Sequence, residues 1–289
     1  MNEASEQRLA IAKRNAATYL ANPKVKAIGV SGSVARGQAD AYSDIDMSIY
    51  YEELPSEEEL KAAYEKNQGS DYRLHADERE TGAIVEQYFV QDVKGDFGHI
   101  TIQCIERDLV EVLEQCDPNS PLLNMLAGIV DMVPLHGAQL IEQWKVKVAN
   151  YPDKLAQAMV KKHLHFRGLW FLQYYGVERD DVLFLSEQFL EAAKNIMGVM
   201  LGLNRFYHPV NSVPFKGMDK FIQKMAIAPD NLSFRLKQIF RESPNTAVNQ
   251  LRELIEETFA LVVTHMPEVD TTEAWKHYKL WSDRYRNLE

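Results

Sequence analysis

The sequence predicts an α+β fold in two parts. Short β-rich runs alternate with amphipathic helices up to about residue 110, and helical periodicity takes over beyond it. The 289 residues also exceed what one hydrophobic core ordinarily fills. Leu9, Ala12, Ala16 and Tyr19 recur at helical spacing, so the chain opens with an amphipathic helix ending near Asn22-Pro23. Val25 to Ser31, closed by Gly32, and Ile45 to Tyr51, entered from the polar turn Gly37 to Ser43, read as strands. Ser56 with Glu59, behind Pro55, is a capping box that opens the next helix. Ala83 to Val90 and His99 to Ile105 flank Gln91 to Asp96 and predict a hairpin with a longer loop. From Arg107 onward segments such as Leu183, Phe184, Glu187, Leu190, Ala193, Ile196, Met197, Met200 and Leu201 are helical. Asp131 to Gly137 reads as a short extended connection, and the domain boundary falls in the stretch Pro134 to Tyr151, giving domains 1–135 and 136–289.

Composition excludes several classes. With 46% hydrophobic and 26% charged residues, the chain is neither collagenous, disordered nor a disulfide scaffold. Thirty-two basic against forty-two acidic residues give −10, which disfavours a stable nucleic-acid partner. Cys104 and Cys116 lack metal or redox spacing and read as reduced. Glu3, Glu6, Arg8, Lys13 and Arg14 interrupt the opening segment, so it is not expected to be a signal peptide. No apolar run is long enough to span a bilayer, so the expectation is a cytoplasmic protein without a membrane partner.

One segment carries chemistry: Gly29-Val30-Ser31-Gly32-Ser33-Val34-Ala35-Arg36-Gly37, then Ser43-Asp44-Ile45-Asp46. A strand that runs into Gly-Ser and a helix start presents backbone N–H groups and a hydroxyl to a phosphate. Gly32 permits the tight turn and a close ligand approach. Asp44 and Asp46, two apart at a strand start, project to one face. Two like charges so placed call for a cation, and hard oxygen ligands beside a phosphate cradle suit Mg²⁺.

Gly32-Ser33, Ala35-Arg36-Gly37 and Ser43-Asp44-Ile45-Asp46 resemble the signature of the nucleotidyltransferase superfamily that includes DNA polymerase beta. The nearest likeness is to bacterial small-molecule enzymes of the aminoglycoside and lincosamide adenylyltransferase type. Asp131 to Gly137, and Asn204 to Pro209 with Lys216, are more loosely similar to segments of that group. The resemblance implies a small mixed-sheet nucleotidyltransferase domain followed by an all-α helical bundle. It implies transfer of a nucleoside monophosphate from an NTP, ATP foremost, to a hydroxyl of a small acceptor such as an antibiotic. Asp44 and Asp46 would hold Mg²⁺, and Gly32, Ser33, Arg36, Ser43 and Lys216 would bind the nucleotide.

The superfamily places a third carboxylate on a neighbouring strand, read here as His99 to Gln103, which has no acid. His99 takes the expected place, and an imidazole, with an unperturbed pKa of about 6.5, suits a base near neutral pH. Glu86 and Glu106 are the other candidates. Without the acid, a nucleotide-binding regulatory or antitoxin-like module is the alternative. Arg36 otherwise pairs with Asp40 or Asp44, and Tyr207 otherwise pads the bundle. Trp275, Tyr278, Trp281 and Tyr285 form a stripe that reads as core packing or a dimer contact, so a homodimer stays open. His163 and His165 point apart and cannot pair on zinc.

Overall fold

The computed structural model describes residues 1–207, 215 and 217–281. The chain forms two compact units, residues 1–115 with 124–150, and residues 116–123 with 151–289. The first contains α1 (Glu3–Tyr19), β1 (Val25–Val30), α2 (Gly32–Ala35), β2 (Ile45–Tyr51), α3 (Glu57–Lys66), β3 (Ser70–Glu78), β4 (Ala83–Val90), β5 (Val93–Thr101), α4 (Ile102–Gln115), α5 (Leu123–Asp131), β6 (Val133–His136) and α6 (Ala138–Ala149). Six strands form one mixed sheet in the order β3-β4-β5-β2-β1-β6, with β2 and β5 parallel and the other neighbours antiparallel.

Period-two alternation explains how the sheet is covered. Ile45, Met47, Ile49 and Tyr51 of β2 point to one face and pack with Ile11, Ala12, Ala16 and Tyr19 of α1. Tyr50 points to the other face, where its ring meets Trp144 of α6 edge-on at 4.6 Å between centroids. The capping box at Ser56 and Glu59 forms as predicted and starts α3.

Two expectations are corrected. Gln91 and Asp92 both take positive φ, 51° and 62°, so β4 and β5 are joined by a two-residue turn in place of a longer loop. β5 therefore begins at Val93 and ends at Thr101, and Ile102 to Ile105 belong to α4. β3 carries no alternating pattern because it is exposed along nearly all its length as an edge strand. Val133 to His136 is a strand paired with β1, and with α6 it belongs to the first unit.

Beneath α1 lies a buried polar network. Glu86 and His99 are both fully buried, and His99 Nε2 lies 3.0 Å from Glu86 Oε1 while its Nδ1 lies 2.9 Å from the Tyr51 hydroxyl. The Tyr19 hydroxyl donates to Glu86 Oε1 at 3.1 Å and meets the Tyr88 hydroxyl at 2.7 Å, to which Asn67 also donates. Burial, and then the neighbouring Glu86 and tyrosines, push the Tyr19 and Tyr51 hydroxyls well above their ordinary range, which keeps them as donors.

The second unit contains α7 (Asp153–His163), α8 (Leu169–Phe171) leading into a π-helical turn (Leu172–Val177), α9 (Val182–Asn204), α10 (Met218–Ile222), α11 (Leu232–Ile239), α12 (Pro244–His265) and α13 (Thr272–Lys279). Its core gathers Ile196, Met200, Leu251, Leu254 and Val262 around the long helices. Tyr278 is buried in that core, Trp275 packs on Phe259, and Trp281 is half-exposed against Trp170. Tyr285 lies outside the described residues. Among the described residues no helix is long and apolar enough to cross a membrane.

His163 is buried against Gly198 of α9, where a Cβ would collide with the ring. Its Nδ1 lies 3.1 Å from Asn195 Oδ1, and its Nε2 has no partner among the described residues. Burial, reinforced by the neighbouring Lys162 and opposed by the Asn195 hydrogen bond, lowers its pKa.

Two stability predictions follow. His99→Ala strips a buried carboxylate of its ring partner and should destabilise the chain by about 3–5 kcal/mol, read as a shift in urea midpoint. For His163, the depressed folded-state pKa means that the unfolded chain binds more protons below about pH 6.5, so stability rises with pH through that interval and is lost on acidification. His163→Gln should remove up to about 1.4 kcal/mol per pH unit from that slope, measured as the difference between parent and variant unfolding at pH 5.5 to 7.5, a range spanning roughly one unit either side of the imidazole's ordinary value.

Candidate metal and nucleotide site

The parallel pairing of β2 with β5 sets Asp46 opposite Asp96. Asp44, Asp46 and Asp96, all partly exposed, each offer a carboxylate oxygen, and these oxygens lie within 4.8 Å of one another. Three hard oxygen donors converging from two adjacent strands fit a divalent cation of the Mg²⁺ kind. The third carboxylate is thus Asp96, which the longer loop expected over Gln91 to Asp96 had kept out of the strand. The signal for it was the turn itself: a two-residue connection after Val90 places Asp96 on β5 in phase with Asp46.

His99 is three residues beyond Asp96 and so points to the opposite face, into the network under α1. It does not join the carboxylates, and neither does Glu86, which is buried with it. Glu106 stands on α4 with Lys147 at 3.9 Å.

Gly32 and Ser33 begin α2 directly beyond β1, where the Ser31 N–H donates to the Asp46 carbonyl at 2.9 Å. Gly32 has a φ of +67°, and a Cβ there would collide with Asp46 Oδ2, so glycine alone fits. The turn and the carboxylate are thereby in direct contact. Ser43 closes the preceding loop: its hydroxyl donates to Asp40 Oδ1 and accepts from the Asp40 N–H, both at 3.0 Å. Arg36 lies 3.4 Å from Asp131, not on Asp40 or Asp44. Lys216 lies outside the described residues.

Two further residues went unread. Arg8 is buried in α1, and its guanidinium donates to the carbonyls of Ser43 at 2.7 Å and Ala41 at 3.1 Å, holding the loop that delivers Asp44. A basic residue four before Ala12 on the buried stripe was its signal. Lys94 sets its ammonium 2.6 Å from Asp96 Oδ1 and 3.7 Å from Asp44 Oδ2. Burial lowers the Lys94 pKa, but the hydrogen bond and charge of Asp96, with the charges of Asp44 and Asp46, outweigh it and raise the net value.

Within the stretch from Asn204, Arg205 pairs with Asp153 at 2.7 Å, and Tyr207 packs on Tyr151 with ring centroids 4.4 Å apart.

Comparison with known proteins agrees with this geometry. Residues 121–212 match a domain of unknown function (DUF4037). A nucleotidyltransferase-like protein of known structure from Exiguobacterium sibiricum aligns over 96% of this chain and 81% of its own, with 10% identity and a TM-score of 0.39. No curated protein matches the chain. Residues 13–97, which contain the Gly-Ser turn and all three aspartates, match the nucleotidyltransferase domain, and this part of the chain is thus similar to the nucleotidyltransferase superfamily.

Proposed function

We propose that the first unit transfers a nucleoside monophosphate from an NTP, ATP foremost, to a hydroxyl of a small acceptor such as an antibiotic, using Mg²⁺ and releasing pyrophosphate. The observation that supports this most is the convergence of Asp44, Asp46 and Asp96 beside the Gly32-Ser33 turn. Asp44, at the entry to β2, Asp46 on β2 and Asp96 on β5 would hold the cation. A divalent cation held there would supply neutralisation of the negative charge that develops on the phosphates. Gly32 and Ser33 hold the phosphates through backbone N–H groups and the serine hydroxyl, which fixes the reacting phosphorus for in-line attack. Asp96 also accepts the proton of the acceptor hydroxyl, the role His99 cannot fill from the opposite face. The alternative, a nucleotide-binding module without chemistry, rested on the want of a third acid, and Asp96 supplies one.

Asp44→Asn, Asp46→Asn and Asp96→Asn should each lower turnover by about 10³-fold or more with an unchanged far-ultraviolet spectrum, read as pyrophosphate release and as label transferred from α-labelled ATP across a panel of hydroxyl acceptors. A parent protein that binds ATP with Mg²⁺ yet labels no acceptor would favour the non-catalytic module. Gly32→Ala, which pushes Asp46 aside, should cost about 10²-fold in the same assay.

A further inference from the structure

The carboxylate cluster carries its own cation. Lys94 is the second residue of β5, two before Asp96, so both side chains leave the same face of the strand. Its ammonium touches Asp96 and approaches Asp44, which are two of the three oxygen donors a divalent ion would use. The side chain is 37% exposed, so its flexible stem has open solvent to swing into. A divalent ion on the same carboxylates would stand close to the ammonium, and like charges at such separation repel. Lys94 is also fixed at its root: the tight Gln91-Asp92 turn and the pairing of Val93 with Val90 set where β5 begins.

We propose that Lys94 is the resident counter-ion of the site, occupying Asp44 and Asp96 until a divalent cation displaces it, so that metal binding is an exchange of cations. The inference rests on the reading of the three aspartates as a divalent-cation site. It has a second consequence. A metal ion arriving alone must displace the ammonium with nothing offered in return, whereas one arriving with a polyphosphate brings anionic oxygens with which the released ammonium can pair. Lys94 thereby makes the site favour metal that comes bound to a triphosphate over free metal.

The test measures Mn²⁺ binding to the full chain by electron paramagnetic resonance, without nucleotide and then with a non-hydrolysable ATP analogue. In the parent, free Mn²⁺ should bind weakly, and the analogue should strengthen binding. In Lys94→Met and Lys94→Gln, free Mn²⁺ should bind roughly tenfold more tightly, the scale of one lost ion pair, and the enhancement by the analogue should shrink by a similar factor. Lys94→Arg, which keeps the charge, should stay near the parent. Parent binding of Mn²⁺ with equal or weaker binding in both neutral variants would overturn the counter-ion role and leave the metal site standing. No Mn²⁺ binding in any of the four proteins would overturn the metal site, and the inference with it.

Discussion

The parallel register of β2 against β5 is the constraint on which the first unit depends. It sets Asp46 opposite Asp96 and, two residues earlier, brings Asp44 to the same end of the sheet. Three like charges that close repel one another, so the pairing holds only because other contacts fix it. On the far face Ile45, Met47, Ile49 and Tyr51 are buried under α1, and a slip of one residue would turn all four toward solvent. At the near end Arg8 ties the incoming loop to α1, and Lys94 offsets part of the charge. The hydrophobic face thus fixes the geometry of the polar one.

That division explains which features the sequence disclosed. Asp44 and Asp46 are legible because they lie two apart at the entry to one strand, and that spacing alone predicts a common side. Asp96 is separated from them by fifty residues of chain and meets them only through strand pairing, which no local pattern encodes. The turn before it was misread because Gln91 and Asp92 both adopt positive φ without a glycine, so the usual mark of a two-residue hairpin is absent. Losing the start of β5 also left Asp96 in a loop and His99 as the first polar residue of the strand, on the face that the structure buries. Arg8 was hidden in the same way, since its partners are backbone carbonyls more than thirty residues away.

The helical unit shows the opposite balance. Its elements were readable from 3.6-residue periodicity, because each helix buries a stripe of its own residues. What the pattern could not convey is how closely the helices approach. Gly198 admits the His163 ring against the α9 backbone, and Gly202 lies against Ala156 and Val160 of the same neighbour, α7. Both are small residues in the middle of a long apolar helix, where propensity alone counts against them.

The exposed β3 has a bearing on how the protein behaves at high concentration. It is a nine-residue strand at the end of the sheet, with unpaired backbone groups along its outer side and with Tyr72 and Leu74 partly open to water. Asp71, Arg73, Asp77 and Glu78 are interspersed along it, and such charges are what keep one sheet edge from pairing with another. The chain's isoelectric point of about 5.4 lies close to the pH at which its overall repulsion disappears. Mildly acidic buffers therefore weaken the long-range barrier to self-association while this edge stays open.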